Sequence, residues 1–384
     1  MFGAELRALR QRRGMSLAGL GEFVHVSGDL LGKIEKAVRR PQPDLVARLD
    51  AVLDADGLLI RRAEELHDDL PHAGAQPTVA VEPEQAEDTL RALIDCVRVG
   101  DHAMSASAHI GALIAHARAA EQAIGRLSRP TREAVASMIG ESYQLAGWMA
   151  FDGGRPERAE HLLGLARSWA ERAGDTALAA YILGPNLSFI ATYGGQPALG
   201  VERAYGALGW ARRSGNHRLV AFTLAIGARA HARLGEAGLC LSLLDQSGSE
   251  LHRYTLDDDH ASGWLSVFDH AALDGHRGSC LLDLGAPDRA LEPLALQRDT
   301  APRSFVRNRV IWQLDQVDAL LQLNDLNHAA AALRTAAAMP VGEMITPRVR
   351  RRFRAVELTL DTLPDDPAVA EARDACRAVT AVTA

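Results

Sequence analysis

A turn residue recurs through the chain at nearly constant spacing: Gly154 in GGRPERAEHLL, Gly195 in GGQPALGVERA, Gly235 in LGEAGLCLSLL, Gly285 in LGAPDRALEPL and Asn324 in LNDLNHAAAAL, separated by 41, 40, 50 and 39 residues. Five residues after each turn stands a small side chain: Ala159, Gly200, Cys240, Ala290 and Ala329. Nine after it come Leu163, Ala204, Leu244, Leu294 and Leu333; seven before it come Gly147, Ser188, Ala228, Gly278 and, less well, Val317. Two antiparallel helices joined by a tight turn cross closely, so their crossing point needs small residues and the next turn of helix supplies an apolar plug. One such hairpin cannot bury its own apolar face, and a stack of them can. From Glu87 onward no strand alternation appears. The pattern therefore predicts an all-α solenoid over 87–384, with a leading hairpin over 87–140 and a closing one over 343–383. The ten extra residues between the third and fourth turns contain Tyr254-Thr255-Leu256-Asp257-Asp258-Asp259-His260, expected as an exposed loop.

The first 66 residues read differently, as five short helices. Ala4 to Arg13 carries Leu6 and Leu9 on one face, and Gly14 ends it. Ser16 caps a second helix with Leu17, Leu20 and Phe23 on its buried side. After the connection Val24-His25-Val26, Ser27 caps a third helix through Lys36, in which Leu30, Leu31 and Ile34 point inward. Its outward face is Gly28, Asp29, Gly32, Lys33 and Lys36. Arg39-Arg40-Pro41 breaks the chain; a fourth helix spans Asp44 to Leu53 and a fifth Leu58 to Leu66. Two short helices joined by a three- or four-residue turn form the unit that lays its second helix in the major groove. Lys33 has the reach for guanine O6/N7 and Asp29 the chemistry for cytosine N4, with Gly28 and Gly32 removing bulk between them. Arg39, Arg40, Lys36, Ser27 and Arg10 are candidates for phosphate contacts, which position without specifying.

Charge distribution agrees with that reading. The formal net charge is −7, the wrong sign for a chain that clings to nucleic acid throughout. Residues 1–40, however, hold eight Lys/Arg against four Asp/Glu, and the only two lysines of the chain, Lys33 and Lys36, both lie on the third helix. A local basic footprint is what attraction to phosphates needs. Residues 67–86, Pro- and Ala-rich and acidic, read as a linker.

The string Leu6…Arg10…Gly14-Met15-Ser16…Leu20…Val26-Ser27…Leu31…Ile34-Glu35…Arg40-Pro41 resembles the lambda-repressor-like (XRE, Cro/cI-type) helix-turn-helix family over residues 3–66. Leu17 stands where that family often has Gln, and His25 and Ala37 where Gly is common. The repeats resemble tetratricopeptide (TPR) hairpins, with a period longer than that family's typical length of about 34 residues. An XRE-type head on TPR-like repeats resembles the RRNPP kind of quorum-sensing-like regulator. The resemblance implies a homodimer on a near-palindromic double-stranded DNA operator, with a peptide or small-molecule effector in the concave surface of the repeats. Gln144, Trp148, Asn186, Phe189, Phe222 and Arg229 are the residues the repeat alignment points there. The alternative is an autoregulatory DNA-binding scaffold whose repeats dock a toxin, kinase or sigma factor.

Other classes lack support. No run of about 18 uncharged apolar residues suggests a membrane span, and the amphipathic start does not read as a signal peptide, so a cytoplasmic protein is expected. Cys96, Cys240, Cys280 and Cys376 lie far apart without CxxC, as expected for isolated buried thiols. His102, His109 and His116 share a helix face but sit about 10.5 Å apart, too far to ligate one metal ion. No P-loop, GxSxG, HExxH or dinucleotide fingerprint occurs, so neither catalytic residues nor cofactors are expected. The basic run Arg348, Arg350, Arg351, Arg352 and Arg354 is expected as solvated charge or as ion-pair partners.

Overall fold

The structure, a computed structural model, describes residues 2–36, 39, 41, 43–53, 55, 58–59, 86–101, 107–254, 263–300, 305–339, 345–364 and 366–380. The expected fifth helix beyond Leu59, the linker up to Gln85, Arg40, His102 and the loop residues 255–260 lie outside the described residues. Two compact units divide the chain, Met1–Val79 and Ala80–Ala384.

In the first unit, helices α1 (Phe2–Arg12), α2 (Leu17–Phe23), α3 (Gly28–Glu35) and α4 (Pro43–Leu53) enclose a core of Phe2, Leu6, Leu20, Leu31, Ile34 and Leu49. Both serine caps form: Ser16 Oγ accepts from Gly19 N at 2.9 Å and Ser27 Oγ from Leu30 N at 3.2 Å. Helices α1 and α3 meet at Gly3, where a Cβ would lie 2.5 Å from the Glu35 carbonyl oxygen and 2.6 Å from that of Ile34. Phe23 departs from expectation: it is 65% exposed. Val24, four residues after Leu20, takes the inward position at the end of α2 and turns Phe23 out to solvent.

The turn between α2 and α3 places His25 at φ +55°, a left-handed conformation that costs a non-glycine residue about 1–2 kcal/mol. The side chain is exposed and packs on nothing that its removal would empty. His25→Gly is therefore expected to stabilise the first unit by about 0.5–1 kcal/mol, read as a raised urea midpoint in its unfolding transition. A drop in the midpoint would show that the imidazole is doing something the geometry does not reveal.

The second unit is all helix among its described residues, stacked as antiparallel pairs. A leading pair, α5 (Ala86–Asp101) and α6 (Ser107–Ala123), precedes α7 (Arg129–Asp152) and α8 (Pro156–Ala173). The next pair is α9 (Thr176–Tyr181), a π-helical segment (Ile182–Ser188) and α10 (Phe189–Tyr193), set against α11 (Pro197–Arg213). Then follow α12 (His217–Arg233) with α13 (Ala237–Arg253), α14 (His270–Asp283) with α15 (Pro287–Thr300), α16 (Val306–Gln322) with α17 (Leu326–Ala338), and α18 (Pro347–Asp361) with α19 (Pro367–Thr380).

The aligned turn residues are the left-handed links of these pairs: Gly154, Gly195, Gly235, Gly285 and Asn324 all have φ between +58° and +84°. The small positions are the crossings. A Cβ on Gly147 would meet Leu163 Cγ at 2.8 Å, one on Gly278 would meet Leu294 Cγ at 2.5 Å, and Ser188 Oγ donates to the Gly200 carbonyl at 2.6 Å. The seventh residue before a turn thus packs on the fifth or ninth after it, which fixes the register of each hairpin. Pro185 lies inside the π-helical segment. Its missing N–H and bulky ring disrupt an α-ladder, and the wider π coil accommodates the break.

One expectation on side chains needs correcting. The thiols are not all isolated and buried: Cys96 is exposed, and Cys240 on α13 shares a hydrogen bond with Cys280 on α14, whose own thiol is pushed well up, chiefly by burial. In the α18 basic run, two arginines are ion-pair partners, as expected. Arg348 binds Asp152 at 3.1 Å, and Arg352 reaches Asp315 at 2.8 Å and Asp318 at 2.9 Å.

Candidate functional site

Two places gather chemistry, one in each unit. In the first, α3 presents an outward strip. Ser27, Asp29, Lys33, Lys36 and Arg39 are exposed, while Leu31 and Ile34 anchor the opposite side in the core. Lys33 Nζ and Asp29 Oδ2 form an exposed i,i+4 pair at 2.7 Å. The Arg39 backbone N–H donates to the Lys33 carbonyl at 3.2 Å, which holds Arg39 beside the end of the helix. The strip is polar and solvent-facing.

Two candidates have other work. Arg10 is buried and its guanidinium grips Glu35 with Nε–Oε1 at 2.6 Å and Nη2–Oε2 at 2.9 Å, while Nη1 donates to the Met15 carbonyl at 2.8 Å. Three of its donors are spent on α3 and the α1–α2 turn, so Arg10 is a structural tie between helices and not a phosphate contact. The carboxylate in turn raises the guanidinium pKa, first through the hydrogen bond. Gly28 is small for a packing reason: a Cβ there would sit 3.0 Å from Ala18 N and 3.1 Å from the Leu17 carbonyl group, where α2 and α3 cross. Gly32 meets only Leu17 Cδ1, at 3.5 Å, an ordinary contact.

In the second unit the first helices of successive pairs surround a cavity with about 1030 Å³ of atom-free space, its open mouth included. Gln144, Trp148, Asn186, Phe189, Phe222 and Arg229 all line it. Trp148 and Phe189 line it with ring centroids 5.9 Å apart, and Tyr193 packs behind Phe189 at 4.5 Å. Tyr181, Trp264 and Phe222 also line it, the last stacked on Phe268 at 4.4 Å. The π-helical segment carries Asn186 to the lining, where its Oδ1 accepts from Gln144 Nε2 at 2.9 Å.

The charge on the lining is unevenly matched. Arg98 pairs with Glu141; Arg307 Nη1 reaches Asp152 Oδ2 at 2.6 Å, and Arg348 shares the same carboxylate. Asp152 ends α7, whereas Arg307 and Arg348 open α16 and α18, so this cluster clasps the first turn-linked pair to the last two around the cavity. The Arg348 guanidinium also lies over Trp148 at 5.5 Å and Phe189 at 5.9 Å. His276 lines the cavity too, held neutral because enclosure, and secondarily Arg229, push its pKa down to about 3.

Sequence reasoning missed part of this lining. His276 stands nine residues before Gly285, the register that Asn186 occupies before Gly195 and Ile226 before Gly235, so the repeat alignment contained that signal. Arg98, Trp264, Arg307 and Arg348 come from segments outside that register and are brought in by the winding of the stack. Among the described residues no cluster of three or more His, Cys, Asp or Glu is placed to hold a metal ion, and no helix is long and apolar enough to cross a membrane.

Comparison with known proteins separates the two units. Residues 1–63 match the family model described as a helix-turn-helix domain. No curated protein sequence matches the chain. Among solved structures, the apo form of the quorum sensor NprR from B. thuringiensis aligns at 15% identity over 89% of this chain and 84% of that one, with a TM-score of 0.47. The two serine caps, the short α2–α3 turn and the exposed third helix all lie within residues 1–63, the stretch that is similar to the helix-turn-helix domain.

Proposed function

We propose that the chain is a cytoplasmic transcriptional regulator that reads double-stranded DNA with α3 and takes a peptide or small-molecule effector in the cavity of its repeats, acting as a homodimer. The observation that carries this is the solvent-facing strip Asp29, Lys33, Lys36 and Arg39 on a helix-turn-helix core. Base edges fall to Asp29 and Lys33, with Gly32 leaving room between them; phosphates fall to Ser27, Lys36 and Arg39. The Asp29–Lys33 pair is no obstacle, because an exposed ion pair is worth about 0–1 kcal/mol and reopens readily on a groove. The enclosed aromatic cavity favours a compact effector over a docked toxin, kinase or sigma factor, since a folded partner needs an open face rather than a lined recess.

Selection of bound duplexes from a random library with the full chain tests this directly. The expected result is a near-palindromic site with half-sites about one helical turn apart, and an affinity that falls steeply with salt. On that site, Lys33→Ala is expected to weaken binding by about 1–3 kcal/mol and to relax preference at one base position. Unaltered affinity and an unaltered footprint would remove Lys33 from the reading face. Absence of any salt-sensitive attachment to duplex DNA would overturn the proposal itself.

A further inference from the structure

Arg229, on α12, is only 7% exposed, and its Nε and Nη1 are enclosed without any hydrogen-bond partner. The face of Tyr193 lies 5.0 Å from the guanidinium carbon. The other three arginines of the lining each have a carboxylate: Glu141 for Arg98, and Asp152 for both Arg307 and Arg348. A guanidinium taken out of water and left without an anion is costly in a ligand-free protein. In the same lining, Gln144 spends an amide N–H on Asn186 and keeps an enclosed Oε1 with no hydrogen-bond partner. The Arg229 guanidinium and the Gln144 carbonyl oxygen thus stand unsatisfied in a cavity that also presents Trp148, Phe189 and Phe222.

Resting on the reading of this cavity as the effector site, we propose that the effector is an organic carboxylate on a flat apolar body, its carboxylate held by the Arg229 fork and an N–H of its body donated to Gln144. The planar guanidinium matches a carboxylate with two parallel hydrogen bonds. His276 does not supply a second cation, because it is neutral in this range. The apolar body lies against Trp148, Phe189 and Phe222. Two sources offer this chemistry, a free small acid and the terminal carboxylate of a short peptide.

Trp148, Trp264 and Trp312 line the cavity and report its occupancy, so the full chain is titrated by tryptophan fluorescence and calorimetry. The probes are indole-3-acetate against indole-3-acetamide, the peptide Gly-Gly-Phe with a free against an amidated C-terminus, and phenyl phosphate. Saturable binding of an acid, with its neutral counterpart weaker by roughly tenfold or more, supports the proposal, and the pair that responds identifies the source. Arg229→Met is expected to reduce the acid to the affinity of its amide, and Arg229→Lys to keep part of the preference. Equal binding of acid and amide, binding unchanged in R229M, phenyl phosphate tighter than every carboxylate, or no saturation by any acid at millimolar concentration overturns it. Unfolding provides a second measurement: R229M removes an unmatched cation and is expected to be at least as stable as the parent, whereas clear destabilisation would make Arg229 a structural residue and end the proposal. Duplex binding by the ligand-free chain is measured alongside. Acids that fail while DNA attachment persists strike only the ligand class, and loss of DNA attachment strikes the regulator reading whatever the acids do.

Discussion

Replacing Glu35 with Ala is expected to destabilise the helix-turn-helix unit by about 3 kcal/mol, because it leaves the Arg10 guanidinium buried without its anion. The carboxylate is enclosed between α1 and α3, with the Arg7 guanidinium, half-exposed, also within 3.5 Å. Removing one partner of such a pair forfeits its attraction and keeps the desolvation cost of the other. That separates a structural tie from a DNA contact. R10M/E35L, which replaces both charges with apolar volume, is expected to recover most of the loss, whereas a phosphate-contact role for Arg10 would leave the double variant stable but weak on DNA. Urea unfolding of the full chain, followed by amide exchange over residues 2–36, measures the first quantity, and duplex affinity under folded conditions the second. If E35A unfolds at the parent's midpoint, the tie is not holding α3.

The second large effect is expected at Asp152. One buried carboxylate receives both Arg307 and Arg348, so Asp152→Asn keeps the shape and removes the negative charge that the two pairs share. A loss of about 3 kcal/mol in the repeat unit is expected, accompanied by faster amide exchange at the start of α16 and α18. The second readout matters because the cluster joins α7 to helices more than 150 residues later in the sequence. Its loss should loosen the clasp around the cavity before it unfolds the individual hairpins, whose crossings at Gly147 and Gly278 are untouched. Neutralising Glu133 in the exposed pair with Arg129 is the matched control, and it should leave the unfolding midpoint where it was. A midpoint and exchange pattern unchanged in D152N would mean that the solenoid is held by its stacking alone.

These cases mark where local reasoning reaches and where it stops. The hairpin turns were legible because left-handed backbone selects Gly or Asn, and the crossings because two close helices admit only small side chains. Both signals are local and repeat with the fold. The helix caps at Ser16 and Ser27 were legible for the same reason, as each serves an N–H three residues away. Arg10, by contrast, reads as one more cation of a basic segment until Glu35, 25 residues on, is brought against it. Gly28 reads as space for a base edge until α2 is laid across it.

The sequence by itself determined that the described elements are helices, that a capped helix-turn-helix unit precedes a stack of hairpins, and which face of each hairpin turns inward. Those properties follow from period, turn chemistry and capping, which act over a few residues. Only the tertiary structure decided which charges find partners. The stacking of the repeats delivers Arg307 and Arg348 to Asp152, and Arg98 to Glu141, yet among the described residues brings no carboxylate to Arg229. Ion pairing depends on a few ångströms between segments far apart in the chain, and no local pattern of residues encodes that distance.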